Sequence, residues 1–124
     1  MSAILTSAPT WFGALAADPR LETLRATLDA GGMAEAHGLT GAARLLVPLL
    51  LSGRPLLVVV ARESEVEQAT DDLRTLATEV GASGPVLPFP APGPAPFRGL
   101  PRHSDAALRR AAAMHAARHG ALRA

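Results

Sequence analysis

The chain has 124 residues, a mass of 12.8 kDa and a formal net charge of +1, a size that suits one domain and excludes two full ones. Hydrophobic residues make up 48% and charged residues 19%, enough for a real core and too apolar for a wholly disordered chain. Cysteine is absent and all 12 basic residues are arginine, which excludes disulfides, thiolate metal sites, cysteine nucleophiles and lysine chemistry together.

Residues 1–17 read as an amino-terminal segment open to disorder, and residues 18–124 as a single α/β domain. No basic residue precedes Arg20, so the charged start of a signal peptide is missing and the cytoplasm is the expected location. Asp18 followed by Pro19 reads as an N-cap and first helical position. Leu21, Leu24 and Leu28 then share a face until Gly31 and Gly32 stop the helix. Residues 33–39 form a weak strand or extended approach to the turn Gly38-Leu39-Thr40-Gly41, and residues 42–51 look helical, with Pro48 as an expected kink. Residues 55–61, Pro-Leu-Leu-Val-Val-Val-Ala, are the clearest strand, apolar on both faces as in a parallel sheet. Neither this run nor residues 45–51 approaches the roughly 18 residues that cross a bilayer, so no membrane partner is expected.

Ser64-Glu65-Val66-Glu67 has the form of a capping box. Val66, Ala69, Leu73, Leu76 and Val80 then trace one apolar face to Gly81. Residues 86–89 read as a second short strand, followed by a linker with prolines at 88, 90, 92, 94, 96 and 101. Ser104 would cap a last helix running to about His119, with Gly120 as its stop. This alternation implies βαβ units and a three-layer α/β domain with a parallel sheet.

Charge divides between the last two helices. Residues 62–79 hold six acidic side chains against two arginines, whereas residues 98–124 hold six arginines against Asp105. Two solvated faces are the ordinary reading; the alternative is a basic surface built from Arg98, Arg102, Arg109, Arg110 and Arg118. With few aromatics interleaved, such a surface would bind nucleic acid weakly and without sequence preference.

The turn at 38–45 stands where a nucleotide-binding fold places its phosphate loop. Against G-x-x-x-x-G-K-[ST], Gly38 supplies the first glycine and Thr40 and Gly41 lie within the loop. Ala43 replaces the second glycine, Arg44 the lysine and Leu45 the metal-binding hydroxyl. Alanine blocks close backbone approach, leucine cannot ligate magnesium, and guanidinium is a poor substitute for a compact ammonium. As an isolated motif it reads better as a plain structural turn, since strand-turn-helix segments with glycines are common. His115 and His119 are four apart on a helix, without a suitable third ligand nearby, so no metal is expected. His103, Ser104 and Asp105 are too close in sequence to converge as a triad, and capping accounts for Ser104.

Several blocks occur in a telling order: residues 38–43 (GLTGAA), 54–60 (RPLLVVV), 67–73, 87–90 (LPFP), 96–101 (PFRGLP) and Arg110. In that order they resemble the amino-terminal UvrB-like region of the bacterial transcription-repair coupling factors, the Mfd family, from about Leu21 onward. The related excision-repair helicase UvrB carries an intact phosphate loop where this chain has 38–45. The resemblance implies a P-loop NTPase-like fold with a degenerate Walker A loop and lost ATPase function. It also implies a role in nucleotide excision repair as one piece of a longer multidomain protein. UvrA, RNA polymerase and DNA would be partners of that whole protein, and neighbouring domains the partners of this piece. The leading expectation is therefore a non-catalytic scaffold domain without a cofactor, prone to self-association when isolated. The alternatives are an active nucleotide-binding domain using Arg44 and a weak nucleic-acid-binding module.

Overall fold

The computed structural model describes residues 10–51, 53–92 and 104–120. Among the described residues five α-helices follow in order: α1 (Thr10–Ala16), α2 (Pro19–Asp29), α3 (Ala43–Leu51), α4 (Val66–Val80) and α5 (Ser104–Arg118), with a 3-10 turn, Glu63–Glu65, leading into α4.

Local chemistry sets most of these limits. Asp18 accepts a hydrogen bond from the Arg20 amide at 2.8 Å, and Pro19 opens α2 where its missing N–H is not needed. At the other end, the Gly31 amide donates to Leu28 (3.0 Å) and the Gly32 amide to Thr27 (2.9 Å), while Gly31 takes φ 78°. This pair of bonds satisfies the last carbonyls of the helix. The same closure ends α4: Gly81 adopts φ 70°, its amide donates to Thr78, and the Ala82 amide donates to Ala77.

The start of α4 differs from the capping box expected at Ser64. Residues 63–65 wind into the 3-10 turn, the helix begins at Val66, and Glu65 at the cap position makes no side-chain capping bond. The carboxylate of Glu67 is turned instead to Arg109 on α5. Tertiary charge pairing thus competes with the local cap.

Within the amino-terminal segment, α1 stacks the rings of Trp11 and Phe12 at 3.6 Å between centroids, with Phe12 buried and Trp11 exposed. α3 touches both α2 and α4, and Arg25 of α2 donates to the Leu50 carbonyl at 3.0 Å. That carbonyl lies in the last turn of α3, where helix carbonyls lack intrahelical donors. Phe12, Leu21, Leu46, Ala77 and Ala116 are buried, with Thr70, whose hydroxyl donates to the Val66 carbonyl at 2.7 Å. No large side chain among the described residues is fully enclosed.

The expected three-layer α/β parallel-sheet domain is not what forms. Among the described residues there is no β-strand, and the structure is helical. Residues 33–39 lie in an irregular approach to α3, with Met33 96% exposed. Residues 55–60 lack a ladder. Leu57 and Val59 are 81% and 85% exposed while Val58 and Val60 are partly covered, the period-two pattern of extended chain covered on one face only. The physical reason is the lack of a neighbour. The other expected strand, residues 86–89, loses a donor at Pro88 and is flanked by Pro85 and Pro90, and the carbonyls of Val86 and of the flanking Pro90 accept from Arg74 and Arg110. Extended propensity without a paired edge does not make a sheet.

Candidate functional site

The turn at residues 38–45 reaches positive φ at Gly38 (75°) and Gly41 (53°). A Cβ at either position would meet nothing within 4 Å, so these glycines serve backbone conformation rather than close approach of a neighbour. The amides at the start of α3, among those a phosphate loop would aim at its anion, are already engaged. Ala43 donates to Thr40 (3.2 Å), Arg44 to Gly41 (3.3 Å), and Leu45 and Leu46 both to Ala42 (3.0 and 2.9 Å). Thr40 and Arg44 are exposed, Ala43 and Leu45 half-buried, and Leu46 points into the core. No strand leads into the turn.

Two cavities lie elsewhere. The larger, about 870 Å³, is an apolar groove bounded by residues 54–63, residues 82–91, α4 and α5. The smaller, about 390 Å³, lies between α2 and α3, lined by Leu24, Leu28, Leu39, Val47 and Leu51 among others. Gly38, Thr40, Gly41, Ala43, Arg44 and Leu45 line neither.

Two of the five arginines expected to make a basic surface, Arg109 and Arg110, are committed within the fold. Arg109 pairs with Glu67 across to α4 and with Asp105 one turn earlier at 2.9 Å. Arg110 donates to the Pro90 carbonyl at 2.8 Å and lays its guanidinium 3.9 Å from the centre of the Phe89 ring. Glu63 reaches the same segment, accepting from the Ala91 amide at 2.9 Å. Together Arg110 and Glu63 hold the proline segment over the groove. Arg118 is exposed; Arg98 and Arg102 lie outside the described residues.

His115 and His119 come together as their spacing requires, with ring centroids 4.3 Å apart. Among the described residues no cluster of three histidine or acidic side chains exists to hold a metal. His103 lies outside the described residues, and Asp105 is turned to Arg109.

The features missed from sequence are the groove, the anchoring of its proline segment by Arg110 and Glu63, and the Arg109–Glu67 contact. Opposite charge on the last two helices was the available signal for the Arg109–Glu67 contact. Nothing local signalled that Arg110 would stack on Phe89, 21 positions earlier. Comparison with known proteins finds no matching family model, no matching curated protein and no matching solved structure.

Proposed function

We propose that this chain is a non-catalytic scaffold domain of a transcription-coupled DNA repair factor, one that contacts neighbouring domains and does not use nucleotide. The observation that carries the non-catalytic reading is the closed turn at 43–45. Its amides are spent on the Thr40, Gly41 and Ala42 carbonyls, and leucine stands at the metal position. A phosphate gains its hold on a helix start from free N–H groups and a complementary cation. The repair role rests on the ordered motifs from 38–43 to Arg110. The engagement of Arg109 and Arg110 inside the fold argues against a nucleic-acid surface on that helix.

Titration with Mg-ATP, followed by calorimetry and thermal unfolding, tests the nucleotide part. A ligand at 100 times its dissociation constant stabilises a fold by about 2.7 kcal/mol, so binding would be plain. No saturable shift is expected. A saturable shift abolished by Arg44→Ala would establish the variant-loop alternative. For the repair role, strand-specific removal of transcription-blocking lesions should slow in cells lacking this chain; an unchanged rate would refute it.

A further inference from the structure

We infer that His115 and His119 form a two-imidazole chelate on the exposed face of α5, a surface site for one late first-row divalent cation, copper(II) in preference to nickel(II) or zinc(II). Both side chains are exposed, and their ring centroids lie 4.3 Å apart with the planes tilted by 44°. Neither imidazole has a hydrogen bond or ion pair among the described residues, so their ring nitrogens are open to an incoming ion. His37, by contrast, is turned to Glu35 at 3.2 Å.

The helix makes the pair. Residues four apart stand one above the other on an α-helix, and the His119 amide donates to the His115 carbonyl at 3.0 Å. That bond keeps the helical register to His119 although α5 ends at Arg118. Two nitrogens on one ion, each bound at about 2.0 to 2.1 Å, stand about 3 Å apart, a separation that these two rings reach by rotation about their side-chain torsions. The last turn of a helix also carries partial negative charge, which favours a cation there. Exposed Arg118 opposes it by like charge.

The ligand type selects the ion. Imidazole suits copper, nickel and zinc, whereas magnesium and calcium take oxygen ligands. Affinity at a nitrogen site rises to copper(II) and falls again at zinc(II). Among the described residues no group of three histidine or acidic side chains converges, so the protein supplies two ligands and water fills the other positions. Such a site holds its ion reversibly, unlike the closed four-ligand sites that build a fold. It is independent of the nucleotide and repair readings above.

Calorimetric titration of the untagged whole chain with copper(II), nickel(II), zinc(II) and magnesium chlorides, in a non-coordinating buffer at neutral pH, reads the outcome. The expected result is one copper ion per chain, weaker nickel and zinc binding at the same site, and no magnesium binding. His115→Ala and His119→Ala should each weaken copper binding at least about tenfold, because the second imidazole no longer acts intramolecularly. Helical circular dichroism should not change, since both residues face solvent. His37→Ala should leave the affinity as it was, and Arg118→Ala should raise it. Adding Ala117→His to His115→Ala restores the number of imidazoles but sets them two apart, on different sides of the helix, and should not restore binding. An absence of copper binding would overturn the inference. So would an affinity indifferent to both His115→Ala and His119→Ala, or one recovered by Ala117→His.

Discussion

Replacing Arg110 by alanine should destabilise the fold although Arg110 is only partly buried. Two interactions disappear together: the charge-assisted hydrogen bond to the Pro90 carbonyl at 2.8 Å and the stacking over Phe89 at 3.9 Å. The first contributes about 1 kcal/mol at a partly buried site and the second about 0.5 to 1 kcal/mol, Phe89 being 44% exposed. Loss of the aliphatic stem that covers the segment adds to these, giving about 2 kcal/mol in all. With a urea slope of about 1.5 kcal/mol/M, the midpoint should fall by about 1.3 M when helicity is followed by circular dichroism. Arg110→Lys keeps the charge but loses the planar stack, and should fall between the two. A double-mutant cycle with Phe89→Leu isolates the ring contribution, with an expected coupling of about 0.5 to 1 kcal/mol. A midpoint for Arg110→Ala within about 0.2 M of the parent would refute the anchoring role and return Arg110 to the solvent-facing surface read from sequence.

Leu46→Ala should cost about 2 to 4 kcal/mol because Leu46 is buried where α3 meets its neighbours. Leu57→Ser, at an 81% exposed site, should change monomer stability by less than about 0.5 kcal/mol; the pair compared by urea denaturation checks which apolar residues form the core. Gly81→Ala should cost about 1 kcal/mol through the positive φ that closes α4, measured the same way. Duplex DNA should bind negligibly at about 150 mM salt, and a sub-micromolar dissociation constant in fluorescence anisotropy would show that the engaged arginines are released for nucleic acid.

What could be read from the sequence follows the range of the interactions involved. The ends of α2 and the end of α4 are written in residues adjacent to them: Asp18 with Pro19, Gly31 with Gly32, and Gly81. Each acts through bonds spanning five residues or fewer. That Ala43, Arg44 and Leu45 lack the side chains of an intact phosphate loop was also legible, whatever the fold. The folded turn added what composition could not, namely that the 43–45 amides are already used. Only tertiary structure decided the fate of residues 55–61, because a strand is completed by a partner that is distant in sequence, and period-two apolarity does not say whether that partner is present. It likewise decided that Glu67 turns from its own helix start toward Arg109, and that Arg110 is held by Pro90 and Phe89 instead of facing solvent. In each case two satisfactory local solutions existed, and the packing of α4, α5 and the proline segment selected between them.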